Sequence, residues 1–391
     1  MADGAKFFIY DKLDNRHVEV SFAILAKLSA GTTEQTQLAR QKVKQFIGKP
    51  YYLLSDNQRK ILKPIVRAAN HLVRSVLYHT VDHSVQRSIY RDYPLASFAK
   101  GDTVVLIGAG WNEPESIKLL CTIRDKHAIR IVQHINDILP IYQPHLFVDY
   151  LSKIFMSYME IVIKNADIIT VISEATKRDL VIFCKEQKAV QPVIKVVRLG
   201  EDVPVTRPVN PEGIRSSDKF ILSVGTFEIR KNYILLYQAA KLAQLEGRDF
   251  PDIVIAGRKG WLTEDLTYVI DKDPFTRGHI RWLQNLSDEE IDWLYGHCMF
   301  TVFPSLCEGW GLPVVESLQH GKLCIASSVS SMLEIGNGMV DYFSPYDARS
   351  IMEKVLTYSS GAYKEKNRIV QNSYEVYSWD DSYTSFKDAV S

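Results

Sequence analysis

From residue 103 onward, short apolar runs alternate with stretches of helical spacing, and that alternation restricts the chain to parallel sheets joined by crossover helices. Apolar runs bounded by turns predict buried strands at Thr103–Ile107, Ile129–Gln133, Asp167–Ile172 and Val193–Val197. Helical periods between them cover Glu115–His127, Phe147–Asn165 and a segment from a Ser173 cap to about Glu186. Glu201–Gly213 holds three prolines and little apolar pattern, so it reads as a linker. A second set follows, with strands Phe220–Val224, Asp252–Ala256, His279–Leu283, Met299–Phe303 and Leu323–Ala326. Its helices are Tyr233–Glu246, Glu264–Asp271, Asp288–His297 and Pro313–Gln319. Ahead of both sets, Lys6–Tyr10 reads as strand and Val18–Leu28 as helix. The class is α/β, with two doubly wound domains and a cleft between them. Ligands are expected beyond the carboxyl ends of the strands.

A chain of 391 residues suits two or three domains. No apolar run is long enough to span a bilayer, and the N-terminus lacks the apolar core of a signal peptide. The five cysteines are scattered, without a C-x-x-C pair, which suits reduced thiols in a cytoplasmic setting and disfavours a cysteine zinc site. The net charge of +1 conceals an asymmetry: Leu38–Lys100 carries twelve Lys/Arg against three Asp, a local +9. Within it, residues 60–74 place Lys63, Arg67, His71 and Arg74 opposite an apolar helical face. Such a helix either packs on the core with a solvated basic side or lies on an anionic membrane surface. No nucleic-acid motif accompanies the charge, so nucleic acid is not an expected partner. The sequence leaves the oligomeric state open.

Several loops concentrate groups able to do chemistry. Glu308 and Glu316 stand eight residues apart around Gly309-Trp310-Gly311-Leu312-Pro313, between a strand and a helix. Helix N-termini attract anions, and a carboxylate one turn inside can accept both hydrogen bonds of a ribose diol; an ordinary helix start with nearby acids has the same pattern. After the strand ending at Val224 come Gly225, Thr226, Arg230, Lys231 and Asn232. The arginine and lysine form either a diphosphate clamp or a solvated pair. His134 and Asp137 follow another strand and face the expected cleft, the histidine as ligand or as a packed or capping residue. Ser173-Glu174 opens a helix, where capping is its simplest role. Gly108-Ala109-Gly110 lacks the third glycine and the later acid of a dinucleotide fingerprint, so it reads as a loop with Trp111 available to stack on a sugar. No D-x-D motif follows a strand; Asp271-Lys272-Asp273 lies at a helix end.

Four blocks in order resemble the family-4 retaining glycosyltransferases of the GT-B fold. They are Asn136-Asp137-Ile138-Leu139-Pro140, Ala166–Thr176, Ser223–Asn232 and Glu308–Pro313, and the resemblance extends over roughly residues 103–385. It implies two Rossmann-like domains facing a central cleft: residues 1–205 on the acceptor side, 206–372 holding the nucleotide sugar, and 373–391 as a helix crossing back. It implies a hexose moved from a nucleotide diphosphate sugar to a hydroxyl of a glycan or lipid-linked saccharide. GDP-mannose is the favoured donor, from similarity to bacterial mannosyltransferases of polysaccharide and O-antigen assembly. Neither a further cofactor nor a metal is implied, because Arg230, Lys231 and a helix dipole take the metal's part at the diphosphate. Glu308 and Asp137 then serve the chemistry beside those cations, and Glu316 binds the ribose. Gly225, Thr226, Gly309, Trp310, Gly311, Leu312, Ser173 and His134 line the donor. The family's usual N-terminal glycine-rich turn is missing after Tyr10. A sugar-nucleotide epimerase of the same fold and a catalytically silent glycan-binding subunit are the alternatives. The expected location is cytoplasmic, with a peripheral membrane contact through residues 60–74.

Overall fold

The computed structural model describes residues 7–11, 16–20, 96–107, 110–112, 114–202 and 207–391. The basic segment 60–74 lies outside them. The described residues fall into two compact units, drawn from Met1–Thr103 with Glu113–Arg130 and from Val104–Asn112 with Ile131–Ser391.

In the first unit, β1 (Phe7–Asp11) and β2 (Arg16–Val20) pair antiparallel, with Phe7 opposite Val20 and Asp11 opposite Arg16. The expected helix from Val18 is therefore strand at its start; residues 21–28 lie outside the described set. The period explains the difference: Val18 and Val20 alternate with His17 and Glu19, a two-residue rhythm that a helix cannot use. The unit also holds α1 (Pro114–His127), with Pro114 at its first position and Arg124, Lys126 and His127 in its last turn.

The second unit contains two sheets. The first has the order β3 (Thr103–Leu106), β4 (Arg130–Ile135), β5 (Ile168–Val171), β6 (Val193–Val196), with β4–β5 and β5–β6 parallel. Every residue of β5 is buried, which is why its run Ile-Ile-Thr-Val shows no alternation. Around this sheet lie α2 (Leu139–Tyr142), α3 (Asp149–Asn165) and α4 (Glu174–Glu186). Ser173 caps α4, its Oγ accepting from Thr176 N at 3.0 Å.

The second sheet has six strands: β7 (Phe220–Val224), β8 (Asp252–Ala256), β9 (Ile280–Leu283), β10 (Thr301–Phe303), β11 (Cys324–Ser327) and β12 (Val340–Phe343). All five pairings are parallel, in the order β12-β11-β10-β7-β8-β9. Its helices include α5 (Tyr233–Leu245), α6 (Glu264–Lys272), α7 (Asp288–His297), α8 (Leu312–Gln319), α9 (Ala348–Thr357) and α10 (Tyr363–Ser373). Leu236, Ile253, Phe300, Val302, Ile325 and Val355 form the fully buried heart of one face. β12, α9 and α10 were absent from the sequence reading. Val340-Asp341-Tyr342-Phe343 carries an acid that Lys354 Nζ and Tyr358 OH satisfy at 2.8 and 2.7 Å.

The last helix, α11 (Trp379–Val390), opens on a Ser378–Asp381 capping box and packs by the end of β6. Ser382 Oγ donates to Arg198 O at 2.7 Å, and Trp379 N to Asp202 Oδ2 at 3.1 Å. A Cβ on Gly200 would stand 2.5 Å from the Trp379 Cα, against backbone that cannot turn aside. Gly200→Ala is therefore expected to lower stability by about 1–3 kcal/mol, read as a shift of the denaturation midpoint. An unchanged midpoint would mean that α11 does not hold this position in solution.

Candidate functional site

The second sheet reverses its strand order beside β7: the chain runs outward through β8 and β9, then returns to the other side of β7 with β10. The crevice at the carboxyl ends of β7 and β10 is the switch point where open parallel sheets take ligands. Arg230 and Lys231 follow β7, and Glu308 follows β10. The two loops are stitched together by backbone and amide hydrogen bonds. Leu306 N donates to Arg230 O at 2.8 Å, and Asn232 Nδ2 donates to Pro304 O and Pro345 O. Asn232 has φ 57°, a left-handed conformation that asparagine tolerates, and it starts α5.

At this junction the charged groups interlock. Arg230 Nη1 donates to Glu308 Oε2 at 2.6 Å and to Cys307 O at 3.0 Å; Lys231 Nζ donates to Glu308 Oε1 at 2.7 Å. Lys231 Nζ also sits 4.7 Å from the centre of the Phe303 ring. On the other side, Arg230 Nη2 donates to Glu228 Oε1 at 2.7 Å. Burial alone would push the Glu308 carboxyl up, yet Lys231 and Arg230 outweigh it and bring it down to about 2. Glu228 lies the opposite way: burial holds its carboxyl above the usual range against Arg230 and Lys231. The sequence reading missed Glu228, although it stands two residues before Arg230 in a quoted block.

Glu316 sits one turn inside α8, which begins after Gly311, a residue with φ 137°. Tyr295 OH donates to Glu316 Oε2 at 2.7 Å, and the tyrosine ring stacks on His320. Burial raises the Glu316 carboxyl, with the Tyr295 bond and His320 acting against it. Leu312 is exposed at the helix start, whereas Trp310 is buried beneath the Arg198 guanidinium, 5.2 Å from its ring centre. Gly225, with φ 149°, passes its carbonyl to Tyr233 OH at 3.0 Å, and Thr226 is exposed beside it.

The first sheet contributes Asp137. Leu139 N donates to Asp137 Oδ1 at 3.1 Å, and the side chain lies against Gly309, where an added Cβ would be 2.9 Å from both its Cβ and Oδ2. Burial raises the Asp137 carboxyl, while Leu139 N–H and Arg230 oppose the shift. His134 Nδ1 is 3.0 Å from Thr170 Oγ1, and burial lowers its pKa against a hydrogen bond with Asn136. His134 and Asp137 line a pocket of about 170 Å³ with Trp111, Pro140, Phe147 and Phe155. Trp111 lies 4.8 Å from the Phe155 ring, so its indole is already packed on one neighbour. Ser173, fully buried, is taken up by its helix cap and by Thr176 Oγ1 at 3.0 Å. The structure thus gathers Arg230, Lys231, Glu308, Gly309 and Asp137 together, with His134 in the adjoining pocket.

Sequence reasoning also passed over Glu334, whose two oxygens accept Glu174 N at 2.8 Å and Ala175 N at 2.7 Å at the start of α4. A local pattern cannot announce a bond across 160 residues. Among the described residues, no helix is long and apolar enough to cross a membrane. No group of three or more His, Cys, Asp or Glu is arranged to hold a metal ion among them.

This geometry defines an α/β protein whose two larger sheets flank a charged crevice at a topological switch point, and comparisons place it among known proteins. Residues 207–376 match the family described as Glycosyl transferases group 1. The serotype-specific mannosyltransferase WbdA of Escherichia coli is 28% identical over 253 residues, which is 60% of this chain and 31% of that protein. O-antigen chain mannosyltransferase B of Escherichia coli is 31% identical over 137 residues, 35% of this chain and 36% of that protein. The chain therefore spans about a third of the length of these relatives. Among solved structures, Anabaena HepE in complex with UDP and glucose superposes with TM-score 0.57 at 13% identity, covering 74% of this chain and 77% of that one. Sucrose-phosphate synthase from Thermosynechococcus elongatus gives 0.54 at 15% identity, covering 70% of each chain. The fold is GT-B, with two parallel-sheet Rossmann-like domains.

Proposed function

We propose that the protein is a retaining glycosyltransferase that moves mannose from GDP-mannose to a hydroxyl of a glycan or lipid-linked saccharide. The observation that carries this reading is the convergence of Arg230 and Lys231 with Glu308 at the switch point between β7 and β10, with Glu316 one turn into the following helix. The similarity to WbdA supports mannose as the sugar.

In this reading the donor's diphosphate lies against Arg230, Lys231 and the N-terminus of α8. Breaking the sugar–phosphate bond develops negative charge on the leaving diphosphate. Fixed cations aimed there favour the transition state over the ground state. Glu316 accepts both hydroxyls of the ribose. Asp137, in contact with Gly309, places the first sheet's loop beside the reacting sugar, and the pocket lined by Trp111, His134 and Phe155 receives the acceptor. Holding acceptor and donor in one crevice replaces a bimolecular encounter with an oriented one. Departing phosphate oxygen takes the acceptor's proton on the same face, which preserves the anomeric configuration.

Incubating the protein with GDP-mannose and mannosyl acceptors, and reading the product by proton NMR, tests the assignment. A product with the donor's anomeric configuration is expected; an inverted product, or donor hydrolysis alone with every acceptor, would overturn it. Glu316→Ala removes the diol acceptor and is expected to weaken GDP binding by roughly 100-fold, about 2.7 kcal/mol. Equal calorimetric affinity in the variant would remove Glu316 from the ribose site.

A further inference from the structure

The ion-paired groups at the switch point balance one another in charge. Arg230 and Lys231 bring two positive charges, and Glu228 and Glu308 bring two negative ones. A nucleoside diphosphate adds further negative charge. A buried anion left without a counter-charge is strongly disfavoured. One of the two carboxylates must therefore give way when phosphate enters.

The geometry distinguishes between them. Glu308 spans both cations, with Oε2 on Arg230 Nη1 and Oε1 on Lys231 Nζ, at 2.6 and 2.7 Å. Two oxygens on one anion, shared between a guanidinium and an ammonium, reproduce the way a phosphate would engage the same pair. Glu228 instead holds Nη2, the other limb of the arginine fork. Its side chain is 2% exposed, so it has little room to leave. Arg230 Nε is buried and has no hydrogen-bond partner among the described residues, which leaves the guanidinium an unused donor. The same arginine therefore has one anchored limb, one limb on a carboxylate and one idle donor.

We propose that Glu308 is a placeholder for the donor's diphosphate: incoming phosphate oxygens exchange with its carboxylate on Arg230 and Lys231, while Glu228 stays and keeps Arg230 aimed. The proposal rests on the donor-site reading above and deepens it. The two ion pairs hold Arg230 and Lys231 in the posture that phosphate needs. The same contacts compete with the ligand, so donor affinity is set below what the bare cations would give. Exchange of one anion for another leaves the paired charges unbalanced only by the phosphate's extra charge, which a helix N-terminus favours.

Calorimetric titration with inorganic pyrophosphate and with GDP tests this, on the unaltered protein, E308Q and E308D. Glu308→Gln keeps the shape and removes the competing charge. Glu308→Asp keeps the charge but is one methylene too short to span both cations. E308Q is expected to bind both probes at least about tenfold more tightly than the unaltered protein, equivalent to about 1.4 kcal/mol, with E308D between the two. A loss of transfer in E308Q alongside tighter binding fits the proposal, since a merely structural lesion would weaken binding. Equal or weaker binding in both variants, with GDP bound by the unaltered protein, would overturn the exchange alone. Failure of the unaltered protein to bind either probe would overturn the donor-site reading itself.

Discussion

Lys231→Met is expected to lower transfer by roughly 10²–10³-fold, the usual loss when one fixed charge-stabilising donor is taken from a transition state. The substitution preserves a long apolar stem over the Phe303 ring and removes only the ammonium. The folded protein should also weaken. Glu308, 8% exposed, loses one of its two cationic partners. Removing one member of a buried pair commonly costs about 3–5 kcal/mol, and the remaining Arg230 contact places the expectation near the lower end. Denaturant unfolding separates this loss from the kinetic one. Turnover within a few fold of the unaltered protein would show that Lys231 does not face the leaving phosphate.

Gly309→Val is expected to lower transfer by roughly 100-fold while leaving GDP affinity within about threefold, because a displacement of about 1 Å at the reacting centre has that effect on an oriented reaction. The reason is contact, not backbone freedom. A Cβ at residue 309 would lie 2.9 Å from Asp137 Cβ and 3.1 Å from Asn136 O, so the two loops must part. Arg230 and Glu316 belong to the other side of the crevice and keep their own supports, Arg230 in Cys307 and Glu228 and Glu316 in Tyr295, while Lys231 stays on Glu308. Parallel measurement of GDP binding and mannose transfer gives the split. A joint loss of both would place the Asp137–Gly309 contact within donor binding, and loss of neither would mean that the loops need not touch.

These two substitutions sit on residues that the chain already marked by pattern. Arg230, Lys231 and Glu308 each follow an apolar run that could only be a buried strand, and the carboxyl end of such a strand is where a loop faces ligand. The helix beginning at Leu312 was equally plain, since Pro313 suits its first turn and Gly321, with φ 66°, its end. Other features gave no local sign. Glu228 is a buried acid whose partner sits two residues on, a spacing shared with countless solvated pairs. Tyr295 reads as one more core aromatic until its hydroxyl is found on Glu316. At the N-terminus, Val18–Leu28 shows how a short valine alternation loses to a longer helical reading. The strand Arg16–Val20 is fixed by its partner across a hairpin, and a single sequence carries that only faintly.

Network partners around the linker make the same point. Arg198 lies between the rings of Trp310 and Tyr377, bonds Glu201, and Glu201 Oε2 in turn accepts Tyr374 OH at 2.6 Å. Those residues come from β6's end, the linker, the loop before α8 and the approach to α11, so no window of sequence contains them together.

By itself, then, the order of apolar runs and caps determined the alternating elements, the parallel sheets and the loops that carry charge, because hydrophobic period and cap chemistry act over a few residues. Tertiary structure alone decided which charges meet: that Glu308 closes on Arg230 and Lys231, that Glu228 anchors the arginine, and that Asp137 touches Gly309. Those pairings depend on strand order and on the approach of distant loops to within hydrogen-bond range, and electrostatic energy at that range changes over fractions of an ångström that sequence spacing does not encode.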